Sequence, residues 1–239
     1  MTSRFFGKVV LVAGGTGALG RAVSLAFHEE GAQVVVTYRK QQDFDGLKEA
    51  ARGGGVAIEG HRVDVIDEAA VRALTERVVA QHGELSAMVN AVGGYAGGTT
   101  LWELDTSILD RMLALNLRSS YVLSRAATGP MLEQGYGSIV NVAAKAAIDY
   151  PPGAAAYAAS KAAALAMLGS LAGELNGTGV RVNSVLPSII DTPANRQAMP
   201  NADFAKWPKP EQLARVILFL CSDEAKVIHG AAIPVYGAD

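Results

Sequence analysis

The chain has 239 residues, half of them apolar and 18% charged, which excludes a disordered or fibrous protein and suits one sizeable core. A formal net charge of −2 provides no electrostatic footprint for nucleic acid or an anionic membrane, so neither is expected as a partner. The single cysteine, Cys221, excludes an internal disulfide and reads as a small core hydrophobe in a reducing compartment. No signal peptide and no apolar stretch of membrane-spanning length is expected, so the expected location is cytoplasmic.

Strands and helices alternate along the chain. The N-terminal Met-Thr-Ser-Arg leads directly into a strand, Lys8–Ala13, followed by a glycine-rich turn and a helix over Arg21–Glu30 that stops at Gly31. A second strand covers Gln33–Thr37, and a helix over Asp43–Arg52 ends in Gly53-Gly54-Gly55. Val56–Val63 reads as a strand, Glu68–Gln81 as a helix and Leu85–Val92 as a fourth strand. Asp105 is the expected N-cap of a long helix to about Ala127. Strand five, Gly137–Ala143, precedes an Ala-rich helix over Gly153–Leu175 and strand six, Val180–Leu186. A helix ending at Cys221 and a short strand, Ala231–Val235, close the pattern. Val/Ile/Leu-rich strands separated by helices predict a Rossmann-type α/β fold. It is a doubly wound parallel sheet of about seven strands with helices on both faces, in a single dinucleotide-binding and catalytic domain over residues 1–239. The longest irregular stretch, Pro187–Pro208, fits either a lid or a plain surface connection.

Gly14-Gly15-Thr16-Gly17-Ala18-Leu19-Gly20 lies between the first strand and its helix. Glycines there permit a tight turn and close approach to a pyrophosphate, and the helix N-terminus offers free N–H groups. The second strand runs into Tyr38-Arg39-Lys40, with no acid at its tip to bond a ribose 2′-hydroxyl. A guanidinium grips a 2′-phosphate, so Arg39 favours NADP(H) over NAD(H); the plainer reading is a solvated loop. Asp64, with Val65 beside it at the end of strand three, fits either an adenine contact or a turn cap.

Tyr157 and Lys161 stand four residues apart on the Ala-rich helix and share a face. A nearby ammonium is expected to lower the phenol pKa from about 10 towards working pH. With these residues the chain resembles the short-chain dehydrogenase/reductase family over essentially its whole length. The glycine turn, Asn90-Ala91-Val92-Gly93, Asn116, Tyr157-x-x-x-Lys161 and Pro187-Ser188-Ile189-Ile190-Asp191-Thr192 carry the likeness. The resemblance implies catalytic roles for Tyr157, Lys161 and Asn116. It also implies cofactor contacts from the glycine turn, Asn90, Gly93, Tyr157, Lys161, Pro187, Ile190 and Thr192. The family's usual serine, thirteen residues before the tyrosine, is replaced by Ala144. Losing such a donor costs about 2.7–4 kcal/mol at the transition state.

The stretch Ala144-Lys145-Ala146-Ala147, with Asp149, Pro152-Gly153 and Gly93-Gly94-Tyr95-Ala96-Gly97-Gly98, is similar to the dihydropteridine reductase branch. That likeness implies a conjugated, imine-like acceptor needing no serine. Lys145 fits either a replacement electrophile or a solvated loop lysine. Tyr95, Tyr150, Asp149 and Trp207 fit either pocket walls or loop packing. His28, His61, His82 and His229 are scattered, with surface or turn roles and no metal expected. The alternative to an enzyme is a non-catalytic NADP(H)-binding or sensing protein of the same fold. The resemblance also implies a homodimer or homotetramer.

Overall fold

In the computed structural model, which describes residues 3–53 and 55–238, strand β1 (Val9–Ala13) is buried along its whole length. Val10 and Val12 enter one apolar cluster, and Val9, Leu11 and Ala13 the other, as the two-residue period of a strand dictates. A strand buried on both faces needs helices on both sides. The first cluster is completed by Val23 and Phe27 of helix α1 (Ala18–Glu29) and by Leu213 and Ile217 of the C-terminal helix Pro210–Cys221. Helix α3 (Glu68–His82), with Val71 and Leu74, and the two long helices Ser119–Gln134 and Ala155–Glu174 line the second.

After β1 the strands are β2 (Gln33–Tyr38), β3 (Glu59–Arg62), β4 (Ala87–Asn90), β5 (Gly137–Val142), β6 (Val180–Pro187) and β7 (Ala232–Val235). All pair in parallel in the order β3-β2-β1-β4-β5-β6-β7. The order reverses between β1 and β4, so the crevice for a ligand opens at the carboxyl ends of these two strands.

Several boundaries differ from the sequence reading. Arg4–Gly7 form a turn before β1, Met1 and Thr2 lying outside the described residues. Helix α1 begins three residues earlier than expected, so Ala18, Leu19 and Gly20 form its first turn. Helix α2 is Gln41–Ala50, and Gly54 of its expected glycine stop lies outside the described residues. Strand β3, an edge strand, keeps only the four residues that pair with β2. The long helix runs well past Ala127. Asp105 caps α4 (Thr106–Met112) by accepting from Ser107 N at 2.8 Å, a π-helical segment Leu113–Arg118 follows, and α5 (Ser119–Gln134) continues through Pro130. Proline removes one helix hydrogen bond, but buried Met131 holds the turn in the core until Gly135 ends it in the left-handed region.

Past β5 lie two helices, α6 (Ala146–Asp149) and α7 (Ala155–Glu174). The 20 residues of α7, at a mean hydropathy of 1.2, are long and apolar enough to cross a membrane. That corrects the expectation that no such stretch exists. Here the helix packs against β6 and the π segment. The stretch after β6, expected to be irregular, contains α8 (Pro193–Ala198) and a 3₁₀ turn Phe204–Lys206 before α9 (Pro210–Cys221).

Candidate active site

The glycine turn fills the space between β1, β2 and α1. Gly14 has φ +72, and its N–H donates to the Thr37 hydroxyl at 2.9 Å. A Cβ on Gly15 would lie 2.5 Å from Val36, and one on Gly20 only 2.1 Å from the Gly14 carbonyl oxygen. No side chain therefore fits at these positions, and the turn packs directly onto the helix. Gly17, the N-cap of α1, has no side chain to bond the first N–H groups, so Ala18 and Leu19 open the helix with their amides uncapped. Thr16 lies between these glycines, half-buried.

At the tip of β2, Arg39 is exposed and makes no ion pair among the described residues. Asp64 uses one carboxylate oxygen to accept from Ile66 N at 3.2 Å, a turn cap, and its side chain is otherwise exposed. Val65 is buried beneath it. On the far side of the crevice, the Pro187 carbonyl accepts from Lys145 N at 2.8 Å. The Ile190 carbonyl accepts from Asn195 at 2.8 Å, and the Thr192 hydroxyl caps α8 by accepting from Asn195 N at 3.2 Å.

Asn90, Gly93, Asn116 and Lys161 meet in one polar knot at the ends of β4 and β5. Asn90 donates to Ser120 at 3.0 Å and to Asn141 at 3.1 Å, its partner across the β4–β5 pairing. Asn116, 1% exposed in the π segment, accepts from Gly94 N at 3.0 Å and donates to Gly94 O at 3.1 Å and Ser160 at 2.9 Å. A Cβ on Gly93 would come within 3.0 Å of Asn116 Oδ1 and 3.1 Å of Lys161 Nζ, so only glycine lets these side chains close over the strand end. Lys161 is 5% exposed and donates to Val142 O at 2.8 Å. Burial lowers its pKa to about 8.

One turn earlier on α7, the Tyr157 ring meets Tyr95 edge-on, with centroids 5.0 Å apart and planes at 74°. Burial, aided by Tyr95, raises the Tyr157 pKa to about 12. The expected lowering by the ammonium does not occur in the protein alone, where burial and the neighbouring Tyr95 both raise the value. The phenol is therefore held protonated at neutral pH.

Of the other sequence-predicted pocket residues, Ala144 is buried and Tyr150, with φ +49, is exposed. Lys145 sits over the Tyr236 ring, 4.9 Å from its centroid, which draws its ammonium to the C-terminal segment. Asp149 is exposed, and Trp207 packs against Phe204 with centroids 5.0 Å apart. The histidines depart from their expected surface and turn roles. His28 is buried against Ala51 O, His229 bridges Val182 N and Ala172 O, and His61 and His82 both reach Glu59, at 2.5 and 3.0 Å. Sequence reasoning missed Thr37, Ser120, Asn141 and Ser160, which hold the glycine turn and the polar knot. The available signal was a polar residue inside an apolar run, as in Asn141 within GSIVNV, since a buried amide requires partners.

Residues 14–237 match the family model described as enoyl-(acyl carrier protein) reductase. The 3-oxoacyl-[acyl-carrier-protein] reductase FabG of Thermotoga maritima is 32% identical over 98% of both chains. The chain belongs to the short-chain dehydrogenase/reductase family. The D-threitol dehydrogenase of Mycolicibacterium smegmatis is also 32% identical, over 98% of this chain and 93% of that one. Among solved structures, a short-chain type dehydrogenase/reductase from Mycobacterium ulcerans superposes with a TM-score of 0.92 at 26% identity, covering 98% of this chain and 90% of that one. An NAD+-bound xylitol dehydrogenase superposes with a TM-score of 0.90 at 26% identity, covering 98% and 99%. The family's nicotinamide dinucleotide suits the residues present. The turn too tight for a Cβ at Gly20, the uncapped start of α1, and Arg39, which pairs with no acid among the described residues, are features that phosphate groups can use.

Proposed function

We propose that the chain is an NADP(H)-dependent oxidoreductase acting as one dinucleotide-binding and catalytic domain over residues 1–239. It reduces a small carbonyl, quinonoid or pterin-like substrate. The observation that carries this reading is buried Lys161, held on Val142 O one helical turn from Tyr157 and against Gly93 and Asn116. A solitary buried ammonium is unfavourable unless it has work to do at that place.

A bound nicotinamide supplies the hydride. In this reading the glycine turn, Gly14 to Gly20, holds the pyrophosphate, and Arg39 takes the 2′-phosphate. Asp64 and Val65 flank the adenine, while Asn90, Gly93, Pro187, Ile190 and Thr192 line the nicotinamide end. Tyr157, protonated at neutral pH, gives its proton to the atom that gains the electron pair. Lys161 holds the ribose and favours the phenolate left behind. Asn116 fixes the Gly93-Gly94 backbone beside both. The name of the Thermotoga relative supports a carbonyl substrate. Ala144 supports instead a conjugated acceptor of the dihydropteridine reductase kind, which depends less on a serine. Ala144, Tyr95 and Tyr150 then border the substrate, with Lys145 behind them. The same alanine motivates the second reading, an NADP(H)-binding or sensing protein without turnover.

The test is NADPH oxidation with quinonoid dihydropterin, ketones and quinones. Turnover abolished by Tyr157→Phe supports the enzyme. Tight NADPH binding with no turnover across the panel supports the sensor. A cytoplasmic homo-oligomer, dimer or tetramer, is part of the proposal, and a monomer in sedimentation overturns that part.

A further inference from the structure

An acceptor atom gaining an electron pair is normally held by two donors, and Ala144 leaves this site with one. The buried polar groups around Tyr157 are engaged. Asn116 uses both side-chain atoms on Gly94 and Ser160, and Ser160 in turn donates to the Tyr157 carbonyl at 2.8 Å. Asn90, Ser120 and Asn141 bond one another. Lys161 is on Val142 O, and the half-buried Lys145 has its ammonium over the Tyr236 ring.

Tyr95 is different. Its ring touches Tyr157, yet it is 69% exposed, and its hydroxyl has no hydrogen bond among the described residues. An aromatic ring left in water at the mouth of a site is not there for core packing. Its position is also fixed. Gly94, just before it, is bonded through both N–H and carbonyl to Asn116. Just after it, Gly98 N and Thr99 N donate to Gly153 O at 2.9 and 3.4 Å. Between them Gly97 leaves room for the phenol, since a Cβ there would lie 2.1 Å from the Tyr95 oxygen. The loop is thus pinned on both sides of a residue whose hydroxyl is free.

We propose that Tyr95 is a catalytic residue, the second hydrogen-bond donor of the site, standing in for the hydroxyl absent at position 144. This rests on the reading of Tyr157 as proton donor. A bound reduced nicotinamide would supply hydride to the acceptor carbon; the π pair then moves to the attached oxygen or nitrogen, and that atom takes the Tyr157 proton. The Tyr95 O–H keeps its own proton and stabilises the charge as it develops. Because this donor brings an aromatic face with it, the site favours a flat conjugated acceptor over a saturated ketone.

The experiment is NADPH oxidation with 1,4-naphthoquinone, quinonoid dihydropterin and a 3-oxoacyl thioester, on wild type, Tyr95→Phe, Tyr157→Phe and Tyr95→Phe combined with Ala144→Ser. Tyr95→Phe keeps the ring and is expected to lower kcat about 100-fold, leaving KM and NADPH affinity within about threefold. Ala144→Ser restores at least about tenfold of that loss, a gain larger than it brings to wild type. A merely structural role for Tyr95 would give no such rescue. If Tyr95→Phe turns over like wild type while Tyr157→Phe is dead, the role of Tyr95 is overturned and the Tyr157 reading stands. If Tyr157→Phe is fully active, or wild type is inactive with all three acceptors, both are overturned.

Discussion

The two ends of the sheet use polar residues in opposite ways. At the amino ends of the strands Arg181, His229 and Glu84 are closed into structure. Arg181 donates to four backbone carbonyls, of Leu220, Ser222, Ala225 and Ile228, at 2.8 to 3.3 Å. His229 bridges two backbone groups, and Glu84 accepts from Ser86, Tyr136 and Val9 N. A cleft of about 400 Å³ lies at this end, but Arg181 and His229 in its wall are already engaged. At the carboxyl ends the groups are positioned and, among the described residues, left with capacity: the uncapped α1, Arg39, and the hydroxyls of Tyr95 and Tyr157. Saturated polar groups staple a fold, and unsaturated ones placed by a rigid frame await a ligand.

The contrast can be broken most severely at Gly20. Gly20→Ala forces a Cβ to 2.1 Å from the Gly14 carbonyl, and NADPH affinity measured by fluorescence should fall at least about 100-fold, near 2.7 kcal/mol. An unchanged affinity would mean that the cofactor does not use this turn. The converse experiment is at the base. Arg181→Leu leaves four carbonyls without a charged donor and should lower unfolding free energy by about 2–4 kcal/mol, with kcat/KM of the surviving folded enzyme unchanged.

The pH profile sharpens the comparison further. Below about 8 buried Lys161 is an ammonium, and above it the charge is lost, while Tyr157 stays protonated to about 12. Reduction should therefore fall about tenfold per pH unit above about 8, and a rate flat to pH 10 would remove the Lys161 charge from the mechanism. Arg39→Ala should weaken NADPH binding by about tenfold while leaving NADH within about twofold. An equal effect on both cofactors would make Arg39 a plain surface residue. The smallest effect is at half-buried Cys221, where desolvation pushes the thiol pKa up to about 12, so a thiol reagent at neutral pH should label it far more slowly in the folded protein than after unfolding.

The sheet was legible because its signals are local. Strand β1 and strand β5 alternate or run apolar over adjacent residues, and the glycine turn carries its constraint in its own sequence. The Tyr157–Lys161 pair was legible for the same reason, one helical turn separating its members. What stayed hidden depends on distant packing. Nothing near Lys145 in sequence announces that Tyr236 draws its ammonium aside, and nothing near Asn116 announces a π-helical turn. The passage of α5 through Pro130 was unreadable because tertiary burial of Met131 overrode a local breaker. The direction of the Tyr157 shift was misjudged because a sequence does not display the burial, or the approach of Tyr95, that raises it.

The segment between β6 and α9 carries one more consequence. Its two ends are clasped by the bond from Asp191 N to Pro208 O at 2.9 Å. Between them it packs on itself, with Arg196 paired to Asp191 and lying over the Phe204 ring. A loop closed at its own neck is a replaceable cassette. Doubling its length adds only about 0.6 kcal/mol of closure entropy, so new lengths and side chains can be grafted there without disturbing the sheet. For a scaffold whose Tyr157–Lys161 pair is fixed on a rigid helix, that neck is a natural joint at which one wall of the crevice can be exchanged for another.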